Sequence, residues 1–209
     1  MKHDSSIWRL CLVTDRQLAR GRPLTQVVDA AVRGGVTMVQ LREKDATTRE
    51  FLEQATALKA LLTPLKIPLI INDRVDIALA VDADGVHAGQ TDMPVEVIRR
   101  LTGPDKIIGL SITNAQQIAR PDAAAADYLG IGPLYLQQTK ANASTPLGVE
   151  GFRALRALTL KPVMAIGGMK ADNSAPVVAA GADGVAVVSA IVSADDPQKA
   201  AQDFAVLFR

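Results

Sequence analysis

The chain has 209 residues, 48% of them apolar and 22% charged, with a formal net charge of +1. That much apolar chain buries a core of its own without disulfides or a structural metal, and it is too hydrophobic for a disordered tail. The balance of 23 Lys and Arg against 22 Asp and Glu gives no electrostatic reason for a nucleic acid or an anionic membrane as partner. A single cysteine, Cys11, excludes an internal disulfide, and one cysteine with two histidines (His3 and His87) cannot build a zinc finger. No apolar stretch reaches the roughly 18 residues that span a bilayer, and the opening MKHDSSIWRL lacks the apolar centre of a secretion signal. A cytoplasmic globule is expected.

In chain order, residues 1–6 read as an unstructured arm, and 7–209 as one domain in which two kinds of segment alternate. Short, nearly continuous apolar runs occur at Arg9–Thr14, Val36–Leu41, Pro68–Asn72, Gly85–His87, Lys106–Leu110, Tyr128–Ile131, Pro162–Ile166 and Gly184–Val188. Runs of this kind mark strands covered on both faces, as in a parallel sheet. About eight helices lie between and after them. Leu24, Val27, Val28 and Ala31 fall on one helical face, as do Phe51, Ala55, Leu58 and Leu62, with Thr47 and Glu50 spaced as a capping box. Pro94 and Pro197 are placed for first turns, and Ala200, Ala201, Phe204, Leu207 and Phe208 form the apolar face of the last helix. Ala83-Asp84-Gly85, Ala126-Asp127-Tyr128 and Ala182-Asp183-Gly184 each open a strand after an alanine-rich helix, an internal echo. The alternation predicts a single-domain (β/α)8 barrel of the α/β class.

Such barrels do chemistry at the carboxyl ends of their strands, and the polar residues collect there. Arg42 and Lys44, beside the Gln40 amide after the second strand, can converge on one anion. Asp73 and Asp92 follow the third and fourth strands. Each alone reads as a helix N-cap; together they read as hard oxygen ligands holding Mg2+ against a substrate phosphate. Gly167 and Gly168, with Val188 and Ser189, occupy the loops that often cradle a phosphate in this fold. The longest connection, Gly132 to Pro146, carries Gln137, Gln138, Thr139 and Lys140. Loops of that length in compact domains tend to be functional, so Thr139 and Lys140 are candidate contacts to the same anion. His87 reads first as a satisfied pocket wall, with proton transfer as its second role, and Cys11 as a small core residue. No G-x-S-x-G, phosphate-binding P-loop, H-E-x-x-H or G-x-G-x-x-G is present. Two anion sites, Mg2+ and no obvious nucleophile suggest a reaction driven by a phosphorylated leaving group.

The chain resembles the thiamine phosphate synthase (thiamine-phosphate pyrophosphorylase) family from about Leu12 through Ala200. The resemblance is carried by Val13-Thr14-Asp15, Gln40-Leu41-Arg42-Glu43-Lys44, Ile71-Asn72-Asp73-Arg74, Asp84-Gly85-Val86-His87 with Gly89-Gln90-x-Asp92, Gly130-x-Gly132-Pro133, Thr139-Lys140, Pro146-Leu147-Gly148, Ala165-Ile166-Gly167-Gly168 and Gly184-Val185-Ala186-Val187-Val188-Ser189, in this order.

The resemblance implies the coupling of 4-amino-2-methyl-5-pyrimidinylmethyl diphosphate to a thiazole phosphate (or its carboxylated form). The products would be thiamine phosphate and pyrophosphate, formed by a dissociative, Mg-assisted substitution. It implies that Gln40, Arg42, Lys44 and Asn72 hold the diphosphate substrate, Leu41 and Glu43 lying within the same run. Asp73 and Asp92 would bind Mg2+, and Ser111 would contact the pyrimidine. Gln137, Gln138, Thr139 and Lys140 would hold the thiazole phosphate with Gly167, Val188 and Ser189. Arg42, Lys44, Ser111 and Lys140 would carry the catalysis. The partners implied are these small molecules, with no nucleic acid and no membrane; a homo-oligomer stays open. Two stretches depart from the family's pattern: Gln137-Gln138 where Thr-Pro is usual before Thr-Lys, and Ile112-Thr113 after Ser111 where a more polar pair is expected. The rival readings are a thiazole tautomerase with His87 as base, and a non-catalytic barrel that binds a thiamine precursor.

Overall fold

The computed structural model describes residues 4–136 and 145–208. Eight parallel strands close into a barrel in chain order, β8 pairing back onto β1. They are β1 (Leu10–Val13), β2 (Met38–Leu41), β3 (Leu69–Asn72), β4 (Gly85–Ala88), β5 (Ile107–Ile112), β6 (Tyr128–Ile131), β7 (Val163–Ile166) and β8 (Gly184–Val187). The expected runs and the observed strands coincide within two residues at each end. The one difference of consequence is β5, which continues two residues further and takes Ser111 into the strand.

Outside the barrel, and among the described residues, lie α1 (Leu24–Arg33), α2 (Thr48–Leu62), α3 (Val75–Ala80), α4 (Val95–Thr102), α5 (Ala115–Ile118), α6 (Pro121–Ala125), α7 (Gly148–Arg156), α8 (Ala171–Ala179), α9 (Ser189–Val192) and α10 (Pro197–Ala205). Two connections hold two short helices where one was expected. Pro121 has no N–H with which to continue α5, and opens α6 instead. Between α9 and α10, Asp196 starts a new helix by accepting the Lys199 N–H at 2.9 Å. Pro94 is the N-cap of α4 and not its first helical residue; the Val95 N–H is taken by Asp122 Oδ1 at 2.7 Å. The Thr47–Glu50 capping box is present, and the two predicted apolar faces are the buried faces of α1 and α2. Part of the expected arm is ordered: Ser5–Trp8 form a 3-10 turn, with Asp4 accepting the Ser6 N–H at 3.0 Å. No helix among the described residues is long and apolar enough to cross a membrane.

Strand alternation divides the core into two layers. Leu10, Leu12, Val39, Leu41 and their counterparts face the helices, while Cys11, Val13, Met38, Ile70, Tyr128 and Met164 fill the barrel. At the amino end the repeated Ala-Asp motif proves structural. Asp84 accepts the Leu69 N–H at 2.9 Å and donates its own N–H to the Leu69 carbonyl at 2.9 Å. Asp127 makes the same clasp with Ile108 (2.8 and 2.7 Å), and Asp183 with Val163 (2.8 and 2.9 Å). Thr37 does so with Leu10, using its hydroxyl as acceptor at 3.0 Å. Every second strand is therefore clasped to its predecessor at its start. This fixes barrel register and leaves the opposite end to function.

Candidate active site

The carboxyl ends of the strands surround a cavity of about 1110 Å³. The residues that alternate inward at these ends are polar: Gln40 on β2, Asn72 on β3, His87 on β4 and Ser111 on β5 all line it. Gln40 and His87 are almost completely buried, at 5% and 6% exposure, so their polar atoms have to be satisfied by the wall or by a ligand.

One pole of the cavity is charged. Thr14 fixes the strand-to-loop turn after β2, donating its N–H to the Gln40 carbonyl (2.9 Å) while its hydroxyl accepts the Arg42 N–H (3.1 Å). This aims the Arg42 guanidinium at the cavity wall, 3.9 Å from Asp15 Oδ2. Lys44 reaches across to β3, its Nζ 2.6 Å from Asp73 Oδ2. Asp73 has a left-handed φ of 62°, a conformation Asp tolerates better than most side chains, and donates its N–H to the His87 carbonyl at 2.9 Å. Asp92 Oδ2 accepts the Gly89 N–H at 2.7 Å. The approach is close: a Cβ on residue 89 would stand 2.9 Å from the same oxygen and push it aside. Burial pushes the Asp92 carboxyl above the ordinary 3.8; the Gly89 N–H opposes this, the adjacent Asp73 adds to it, and Lys44 draws it back.

Neither aspartate caps a helix: the N-cap positions of α3 and α4 are Arg74 and Pro94. Asp73, Asp92 and Lys44 instead form one cluster. No group of three or more His, Cys, Asp or Glu that could hold a metal occurs among the described residues. A pair of crowded carboxylates nonetheless fits Mg2+, which typically takes one or two carboxylates and fills its remaining positions with water and phosphate oxygen.

The other pole is built from backbone. Gly167 and Gly168, after β7, have φ of 100° and 68°, and a Cβ on Gly168 would stand 2.7 Å from that of Tyr135. Asn173 holds this loop. Its Nδ2 donates to the Gly168 carbonyl at 3.0 Å and its Oδ1 accepts the Lys170 N–H at 2.8 Å. Val188 and Ser189, leading from β8 into α9, face the same space, as does Lys170.

Of the predicted residues, Gln40, Arg42, Asn72, Ser111, Gly167, Val188 and Ser189 line the cavity, Lys44, Asp73 and Asp92 cluster on the loops beside it, and two point away. Leu41 alternates outward and is fully buried between barrel and helices, so its side chain takes no part in the cavity wall. The Glu43 side chain turns away to Arg16, 3.6 Å distant, and burial raises its carboxyl above the ordinary value despite that partner. Gln137, Gln138, Thr139 and Lys140 lie outside the described residues. His87 is the satisfied wall expected, with both ring nitrogens engaged, at 2.8 Å to the Tyr128 hydroxyl and 2.9 Å to Ser111 Oγ. Residue-by-residue reading missed Asp15, Lys170 and Asn173. It also missed Gln90, whose amide donates to the Ser111 carbonyl at 2.7 Å. Asp15 and Gln90 stand inside recognisable motifs, which was the available signal; Lys170 and Asn173 offered none.

A parallel (β/α)8 barrel that sets a cation-and-carboxylate pole opposite a glycine pole belongs to the class of barrel enzymes that handle phosphorylated small molecules. The model of one family, Thiamine monophosphate synthase, matches residues 10–191, and the chain belongs to that family. It is 50% identical over 200 residues to a thiamine-phosphate synthase of Chloroflexus aurantiacus, covering 96% of this chain and 92% of the relative. With one of Xanthobacter autotrophicus it shares 54% identity over 193 residues, 92% of each chain. A solved thiamine phosphate pyrophosphorylase from Pyrococcus furiosus superposes with a TM-score of 0.87 at 37% identity, over 97% of this chain and 96% of that one.

Proposed function

We propose that the protein is a thiamine-phosphate synthase, coupling 4-amino-2-methyl-5-pyrimidinylmethyl diphosphate to a thiazole phosphate with release of pyrophosphate. What supports this is a single cavity lined by Arg42 on one side, with Lys44 on the same loop, and by the Gly167–Gly168 and Val188–Ser189 loops on the other. The charged pole suits a departing diphosphate, and the glycine pole suits a phosphate that is only held.

Gln40, Arg42, Lys44 and Asn72 bind the diphosphate, and Ser111 faces the pyrimidine. Backbone N–H groups of the glycine pole hold the thiazole phosphate, with Gln137, Gln138, Thr139 and Lys140 completing that side in this reading. Alignment places the thiazole nitrogen at the pyrimidine's methylene carbon. The nitrogen lone pair forms the new C–N bond, and the electrons of the breaking C–O bond leave with pyrophosphate. The attacking nitrogen bears no proton, so no general base is needed. Arg42 and Lys44 neutralise charge as it develops on the leaving oxygen. Asp73 and Asp92 would hold Mg2+, which supplies further positive charge to the diphosphate oxygens. The reaction is placed in the cytoplasm.

Incubating the protein with both substrates and Mg2+ should yield thiamine phosphate and pyrophosphate in equal amounts, measured by mass spectrometry. Isomerisation of the thiazole phosphate without coupling would point to the tautomerase reading; binding of both ligands without turnover, to a non-catalytic barrel.

A further inference from the structure

Beneath Ser111 the floor of the cavity holds two buried polar groups, His87 and Tyr128, to which the reaction above gives no role. His87 on β4, Gly109 on β5 and Tyr128 on β6 stand in one row of the barrel register. A Cβ at position 109 would lie 2.2 Å from Tyr128 Cζ and 2.5 Å from His87 Nδ1. The missing side chain on the middle strand is what lets its two neighbours meet across it. Gly130 extends the clearance, since a Cβ there would come within 3.2 Å of His87 Cε1. Through this gap the Tyr128 hydroxyl reaches His87 Nδ1 at 2.8 Å, and His87 Nε2 reaches Ser111 Oγ at 2.9 Å. Ser111 lines the cavity above them.

A neutral imidazole has one donor and one acceptor nitrogen, so such a chain has a direction. A phenol is a stronger donor and a weaker acceptor than an aliphatic hydroxyl, so of the two hydroxyls on this ring it is that of Tyr128 that donates. The phenolic hydrogen is then turned to His87 Nδ1, Nε2 carries the ring proton, and that proton is donated to Ser111 Oγ. The serine's own hydrogen is left to point into the cavity.

We propose that Tyr128 and His87 are positioning residues which hold the Ser111 hydroxyl as a hydrogen-bond donor toward the substrate. They thereby select a ring that presents a bare acceptor nitrogen there and reject one that presents N–H. The substrate side of this statement rests on the functional reading above; the direction of the chain does not.

The chain has two histidines, so the ring nitrogens of 15N-histidine-labelled protein can be assigned with a His3→Gln variant. His87 should show a protonated Nε2 and a bare Nδ1, and Tyr128→Phe should shift that pattern. The phenyl ring keeps the tilted contact of Tyr128 with Trp8, whose ring centroid is 5.2 Å away. In the coupling assay, Ser111→Ala and Tyr128→Phe should each lower kcat/KM roughly tenfold, the scale of one hydrogen bond. The double variant should lose no more than Ser111→Ala alone, because both act through one hydroxyl. A protonated Nδ1 in the unmodified protein, or losses that multiply in the double variant, overturns the proposal. If the unmodified protein does not couple the substrates, the functional reading fails and the tautomer measurement still decides this one.

Discussion

The two ends of the barrel use aspartate in opposite ways. At the amino end Asp84, Asp127 and Asp183 stand apart, each with a backbone clasp and a cation from the helix that leads into the clasped strand: Lys59 at 2.9 Å, Arg99 at 2.5 Å and Arg156 at 3.4 Å. At the carboxyl end Asp73 and Asp92 are pressed against one another, sharing Lys44. The first arrangement satisfies every carboxylate and holds strands in register. The second leaves negative charge concentrated beside an open cavity, where a cation or the cations of a bound complex relieve it. Identical side chains thus hold register at one end and, in the proposed function, bind at the other, and substitutions at the two ends should separate those effects.

The largest effect is expected at the crowded pair. Asp73→Asn or Asp92→Asn should lower the coupling rate by about 100-fold or more, since even outer partners of a metal site cost 10–100-fold. Circular dichroism should show the fold intact. Next, Arg42→Ala should weaken binding of the pyrimidine diphosphate by roughly 10- to 150-fold, the equivalent of one charge-assisted hydrogen bond of about 1.5–3 kcal/mol, in a titration of the metal-loaded protein. At the amino end the sign of the comparison reverses. Asp127→Ala removes the acceptor of the Ile108 N–H and of Arg99 Nη2, and should destabilise by about 1–3 kcal/mol in urea titration while kcat stays unchanged.

The smallest effect is a pH signature. The folded Asp92 carboxyl holds its proton more tightly than the ordinary value of 3.8. Its favourable contribution is therefore complete below that value and is lost as pH rises through the folded one. At neutral pH the ionised group is a burden on the metal-free fold. Asp92→Asn should raise the melting temperature of metal-free protein at pH 7, with the gain shrinking toward zero as pH falls below 3.8. A gain of the same size at both pH values would show that charge crowding is not its origin.

The barrel was legible because its strands are buried on both faces, which writes each as an unbroken apolar run. The ends of those runs were less so. Ser111 interrupts the pattern as a loop residue would, although it is an inward position of β5. The same alternation explains Leu41, which shares a motif with Gln40 and Arg42 but points the other way. The charges in the loops stood out because an Arg and a Lys two residues apart beyond a buried strand are spaced to converge on one anion. The Tyr128–His87–Ser111 chain stayed hidden because its members come from three strands and meet only where Gly109 provides no side chain, a fact of register and not of local sequence. Asn173 was equally silent, being an ordinary helix residue until the loop it holds is seen.

In the proposed reaction the carboxyl-end cluster around Asp73 and Asp92 supports a metal-dependent displacement of diphosphate. Following 31P NMR of one mixture of protein, pyrimidine diphosphate and thiazole phosphate, first with a chelator and then with excess Mg2+, tests it most directly. The substrate resonances should stay unchanged under chelation, and the diphosphate signals should then give way to pyrophosphate once Mg2+ is added. Pyrophosphate accumulating at the same rate with the chelator present would contradict it.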